Sequence, residues 1–347
     1  MRIIRPAAAL LAAAAAGTAL TAVAMPASAS PSVSRASSWH VALKFADGFD
    51  FGFSAVTATS THNAWAFGES RSSREMAYQL TGSGWKKRSF PNDAISGASS
   101  TSASNVWAFG YEQALRYNGS KWSLVKTFSQ PVSTGLAISS SDVWVFTGTT
   151  TLWRYNGSSW SKSKTRQRLG GGSALSPSSV WAYDGKTIGH WNGKSWSWTS
   201  VARLLPRNTQ ISISGLTGIY AASARNVYAI GSGGRESIGG ALVVLHYNGH
   251  RWSRVGFNSN LGTPLSVVPD GSGGVWITEE YGIPGRSVIE HYAHGRLSTG
   301  KLPYSPNRIG LPMAAHMPAS TQTLAVGYTR KSLSSSSRTA VILRYGP

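Results

Sequence analysis

From Asn105 to Val125 the chain reads NVWAFGYEQALRYNGSKWSLV. Val106 and Ala108 alternate with Trp107 and Phe109, a period of two that predicts a strand, and Leu115 to Tyr117 resume the alternation after a short loop. Asn118-Gly119 then predicts a type I′ hairpin turn, whose two central residues both take positive φ, and Trp122 opens the next strand. A segment of small residues precedes each such unit: Gly97-Ala98-Ser99-Ser100 here, Gly135-Leu136-Ala137-Ile138 and Pro312-Met313-Ala314-Ala315 elsewhere. These segments predict an innermost strand, where small side chains let neighbouring units approach.

Looser copies of the unit fill most of the chain. Copy one carries Asn63 to Gly68 and closes at Trp85; copy two is the stretch above. Copy three runs from Asp142 to Trp160, copy four from Ser179 to Trp196 and copy five from Asn226 to Trp252. Copy six is degenerate, with Gly274-Val275-Trp276-Ile277, then His291-Tyr292, and Leu297 in the tryptophan's place. Copy seven has Thr323 to Gly327 and Leu343 to Pro347 and stops before its last strand. The equivalent positions Trp65, Trp107, Trp144, Trp181, Tyr228, Trp276 and Leu324 are 42, 37, 37, 47, 48 and 48 residues apart. Such periods mean propeller blades, so the expected fold is all-β, a seven-bladed β-propeller with four antiparallel strands per blade. Trp39-His40-Val41 is a lone outer strand, and it is expected to complete copy seven and close the ring.

The repeat resembles that of kelch-like, galactose-oxidase-type propellers, in which an aromatic-and-glycine strand is followed by a Tyr and then a Trp, here Trp107, Gly110, Tyr117 and Trp122. It departs from kelch in lacking paired glycines after the second strand. The likeness spans nearly all of 39–347 and implies an architecture. A copper-radical oxidase of that type needs a Tyr-Cys crosslink, and the chain has no cysteine. The sialidase Asp-box is absent from every copy.

The N-terminus adds a location. A basic Met1 to Pro6 precedes an apolar run from Ala7 to about Met25, and Ala27-Ser28-Ala29 supplies a cleavage pattern. Residues 1–29 are therefore read as a secretory signal peptide, 30–38 as a Ser-rich tether and 39–347 as one propeller domain. The mature protein is expected to be extracellular, and no later stretch is apolar enough to span a membrane. The full chain has a net charge of +20; removing Arg2 and Arg5 leaves 31 basic against 13 acidic side chains, a net +18. That field favours anionic partners such as cell-surface polymers or acidic polysaccharide, and with no DNA- or RNA-binding motif a specific nucleic-acid partner is not expected.

Tryptophan falls mostly on two repeat positions, which predicts packing between blades rather than ligand stacking. His190, His246 and His291 share one third-strand position with Arg116, Arg154 and Arg344, and so read as structural. Cations around the outer strands, among them Lys86, Lys87, Lys121, Lys126 and Lys162, read as protection of exposed sheet edges, with an anion-binding stripe as the alternative. No cofactor or metal is expected: nothing at ligand spacing joins His316.

Individuality lies in the loops between second and third strands and in the connections between copies. In a propeller these share one face, the one that usually binds ligand. The candidate ligand-binding residues are Glu279, Glu280, Tyr281 and Arg286, with Tyr111, Glu112, Phe49, Asp50, Arg207, Asn208, Asn307 and Arg308. Carboxylates, amides and arginines beside aromatic rings suit hydroxyl-rich sugars. The first expectation is a lectin-like secreted module that binds glycan or an anionic cell-surface polymer, as the targeting subunit of a larger extracellular assembly with other secreted subunits. Alternatives are a polysaccharide lyase or glycosidase using Glu112, Glu279 or Glu280, and a polyanion binder acting by charge alone.

Overall fold

The computed structural model describes residues 36–45, 51–70, 75–91, 94–206, 215–233, 240–281, 286–332, 334–335 and 337–347. The expected signal peptide and most of the tether lie outside them, as do Phe49, Asp50, Arg207 and Asn208. Residues Ala36–Pro347 form one compact unit.

Five sheets have four antiparallel strands. In copy one these are Phe51–Ser60, Asn63–Ser70, Glu75–Thr81 and Gly84–Arg88, from inner to outer; in copy two, Ile95–Ser102, Asn105–Gly110, Gln113–Tyr117 and Trp122–Thr127. The small-residue segments are the inner strands, as their composition requires. Copies five and six share a seven-stranded sheet, because the 18-residue strand Trp252–Pro269 serves as the outer strand of one and the inner strand of the next.

The lone N-terminal strand, Ser38–Lys44, pairs with Thr339–Gly346 at the outer edge of copy seven, with Trp39 opposite Tyr345 and His40 opposite Arg344. Trp39 is buried there, its ring 5.3 Å from Trp276 and 5.5 Å from Tyr345. The two ends of the chain thus complete one sheet.

The tryptophans form the ladder between copies that their recurrence predicts. Trp65 meets Tyr117 and Trp122 of copy two at 4.8 and 5.1 Å, and Trp107 meets Tyr155 and Trp160 of copy three at 5.6 and 6.0 Å. Trp181 repeats the contact with Tyr247 and Trp252. Four of the tryptophan rings are also backed within their own sheet by the third-strand residue opposite. Arg116 lies over Trp107 at 5.4 Å, Arg154 over Trp144 at 5.2 Å, and His190 and His291 stack on Trp181 and Trp276 at 4.1 and 4.0 Å.

A polar residue at or before the start of the second strand anchors that backing group. Arg116 Nε donates to Asn105 at 3.1 Å, Arg154 bonds both oxygens of Asp142 at 2.8 Å, and His246 and His291 meet Asn226 and Asp270 at 2.8 Å. Burial would raise the Asp270 carboxyl, but hydrogen bonds from His291, Ser272 and Gly274 outweigh it and hold the group below the usual carboxylate range. Arginine and histidine alternate here because the position needs a flat group that stacks and also donates. The histidines are structural.

The Asn-Gly loops differ from the expected turn. Tyr117 pairs with Trp122, so the loop is four residues long, 118–121. Only its glycine has positive φ, +99° at Gly119, with +98°, +92° and +92° at Gly157, Gly193 and Gly249. Asparagine acts through its side chain instead. Asn118 Oδ1 accepts the N–H groups of Ser120 and Lys121 at 3.0 Å, and Asn156, Asn192 and Asn248 do the same in their copies. The tyrosine before the loop caps it, Tyr117 and Tyr247 donating to Gly119 O and Gly249 O at 2.8 and 3.0 Å.

Candidate functional site

Antiparallel order puts every inner-to-second and third-to-outer turn at one end of the strands. The second-to-third loops and the connections between copies fall at the other end. There the second-to-third loop has two residues in copy two, Tyr111 and Glu112, four in copy three and nine in copy seven. Those expected site residues that are described belong to this end.

They do not all face solvent. Glu279 and Glu280 lie within the strand Val275–Tyr281, not in a loop, because that strand keeps pairing with Pro264 and Thr263 of the inner strand. Glu279 is 0% exposed and points to the side of Ile277, toward copy five. Neither of its oxygens has a hydrogen-bond partner among the described residues. Glu290, 1% exposed, is on the same side and accepts from Asn258 at 3.2 Å and Thr299 at 3.0 Å. Burial, then the nearby Glu290 charge, push the Glu279 carboxyl up to about 8. Gly262 makes room for it: a Cβ there would collide with the Glu279 carboxyl. Glu279 is thus an interior acid and does not reach a ligand from solvent.

Tyr281 and Arg286 do come together at the rim. The guanidinium lies 5.2 Å from the tyrosine ring, and Tyr281 N–H donates to Arg286 O at 2.8 Å. Glu280 beside them is half-buried. Tyr111, at 65% exposure, presents a bare ring on copy two. It and Glu112 tie down their own connection, accepting N–H bonds from Val132 at 2.6 Å and Phe128 at 2.7 Å.

Asn307 and Arg308 occupy a single 3-10 turn, Pro306–Arg308, in the connection between copies six and seven. Arg308 borders a cleft of about 360 Å³ together with Tyr304, Thr329, Arg330, Lys331 and Lys44. Three stretches meet there: the connection (Tyr304, Arg308), the copy-seven loop (Arg330, Lys331) and the end of the ring-closing strand (Lys44). Arg330 N–H donates to Arg308 O at 2.9 Å, and Arg308 Nε returns a bond to Arg330 O at 3.2 Å, so each arginine fixes the other's backbone. The sequence singles out Arg308 but not Lys44, Arg330, Lys331 or Tyr304. Lys44 could be found only by following the ring closure through to the far end of its strand.

No protein-family model matches the chain, and no curated protein matches it in sequence. Solved structures do resemble it. A catalytically inactive virginiamycin B lyase from Staphylococcus aureus with quinupristin aligns with a TM-score of 0.63 at 11% identity, covering 90% of this chain and 99% of the other. The WD40 β-propeller domain of Doa1 gives 0.61 at 10% identity, covering 88% and 97%. YCF48 from Cyanidioschyzon merolae gives 0.56 at 12% identity, covering 89% and 98%. At such identities the likeness concerns fold alone. The chain has a β-propeller architecture, and its site must be argued from its own residues. No helix among the described residues is long and apolar enough to cross a membrane.

Proposed function

We propose that this is a secreted, kelch-like, seven-bladed propeller that works as a lectin-like binding module, recognising glycan or an anionic cell-surface polymer through its variable-loop face. Seven blades follow if the seven-stranded sheet is counted as two blades sharing the strand Trp252–Pro269. One observation supports the binding role above the others. The loop end of the strands gathers an exposed ring at Tyr111, the Tyr281–Arg286 pair and the cationic cleft around Arg308. Rings and forked donors on a rigid frame are what sugar recognition needs.

A glycosidase or lyase would need accessible carboxylates facing one another across a substrate. Glu279 is enclosed between copies, so that reading loses its main acid. The test is binding of the purified protein to an array of glycans, cell-wall polymers and DNA at low and high salt. The proposal expects selective binding that persists at high salt; loss of every interaction with salt leaves only a charge-driven binder.

A further inference from the structure

Glu290 is an acid at a third-strand position where the corresponding residues are apolar. It lies opposite Ile277, as Leu115 lies opposite Ala108, Trp153 opposite Val145 and Leu245 opposite Ala229. Glu279 is two residues along the strand from Ile277, so both acids share the face that meets copy five. Asn258 and Thr299 donate to Glu290, whereas no described residue donates to Glu279. A carboxylate enclosed without a donor and beside a second acid is costly, so the enclosed side chain keeps its proton. Among the described residues the Glu290 charge is the one that acts on it. Tyr292, Tyr228 and His246 are on the same face but toward the opposite end of the strands, and Arg254 lies opposite Leu245, which packs toward copy four.

The acid also sits at a joint in the ladder. Val275 to Thr278 pair in steady register with Pro269 back to Ser266, and the register then shifts at Leu265. Beyond the shift Glu279 pairs with Pro264, Glu280 with Thr263 and Tyr281 with Gly262. Pro264 has no N–H to give to this short end. Past it the strand stops at the rim, where Tyr281 N–H holds Arg286 O and the Arg286 guanidinium lies on the Tyr281 ring. Glu279 can therefore reach water by releasing the pairs beyond the joint, while the rest of the sheet stays intact.

We propose that residues 279–281 form a proton-held latch: with Glu279 neutral the strand end stays seated against 262–264 and keeps the Tyr281–Arg286 pair at the rim, and loss of the proton releases it. The latch stands on this geometry; its control of ligand binding rests on the lectin-like reading, in which the pair is a contact. The sign follows from the two states of the carboxyl. Seated, its value is about 8; released, it returns to 4.5, so the seated state binds the extra proton. Opening therefore becomes easier by up to about tenfold per pH unit between those values, and levels off above 8.

The test is hydrogen exchange of the whole protein at about pH 5.5 and about pH 8.5, corrected for the intrinsic effect of pH, in wild type and Glu279→Gln. Wild type should lose protection at 279–281 by at least roughly tenfold at the higher pH, with 105–117 unchanged. Glu279→Gln should be equally protected at both. A variant that fails to melt cooperatively is replaced by Glu279→Met, which also removes the acid and is held to the same expectation. No change with pH in wild type, a fall shared with 105–117, or the same fall in the variant overturns the latch. Running the glycan array at the same two pH values separates the two readings. Retention that weakens at the higher pH in wild type but not in the variant supports control of the site by the latch. A latch that opens while no glycan is retained at either pH upholds the latch and rejects the lectin-like reading. Retention that is indifferent to an opening latch upholds that reading and overturns the control.

Discussion

At one end of the strands the chain turns four times through the same four-residue Asn-Gly loop; at the other, no two of the corresponding loops in copies two, three and seven are alike. The first set, at 118–121, 156–159, 192–195 and 248–251, repeats the same asparagine bonds and the same positive-φ glycine. Its job is to reverse the chain, and one solution serves four copies, while copies one and six use the two-residue turns 82–83 and 294–295. The second set varies from the exposed Tyr111 to the nine-residue segment that brings Arg330 and Lys331 to Arg308. Where a loop only has to close a hairpin, backbone physics dictates its residues. Where residues are free to differ, the frame presents them to solvent.

This contrast can be broken most severely from the core that both ends share. Trp107→Ala removes a fully buried ring that packs on Tyr155 and Trp160, donates to Asn105 at 3.1 Å and backs Arg116. A loss of about 3–5 kcal/mol in urea-unfolding free energy is expected.

The Glu279 carboxyl should produce the next largest effect, and one that depends on pH. Its folded-state value of about 8 lies above the free value of 4.5, so the folded protein holds a proton that the unfolded chain gives up. Stability from this group is therefore full below about pH 4.5 and declines as pH rises through 8. Glu279→Gln should melt with wild type near pH 4 and exceed it at pH 8.5 by on the order of 1–3 kcal/mol. Equal stability at both pH values would show that the acid is not burdened by burial.

At the uniform end, Gly119→Ala forces a side chain into φ +99° and against Ser104. It should cost about 1–2 kcal/mol by thermal melt, and Asn118→Ala about 1 kcal/mol through its lost loop bonds. At the variable end, Arg308→Gln should change stability by less than about 0.5 kcal/mol. An Arg308→Gln cost as large as that of Gly119→Ala would erase the distinction between the two ends.

The repeat was legible because each copy reuses residues for the same physical reason. Trp107 recurs to pack between copies, and Asn-Gly recurs to turn the chain, although Asn118 acts through its side-chain oxygen and not through a positive φ. Strand ends were less legible. Thr278-Glu279-Glu280-Tyr281 reads as loop by polarity, yet the strand continues through it and turns Glu279 toward Glu290. Polarity marks exposure only while a buried acid is rare, and nothing local reveals that Gly262 leaves space for this one. The cleft was half legible: Arg308 stood out in its connection, but Lys44 reaches it only through pairing of the two chain ends.

The central claim is that the variable end binds and the uniform end only supports. Hydrogen exchange, with and without the best ligand from the array, tests it most directly. The account predicts slowed exchange at 304–308 and 329–331 and none at the four Asn-Gly loops. Protection centred on those loops, or along the outer strands, would contradict it.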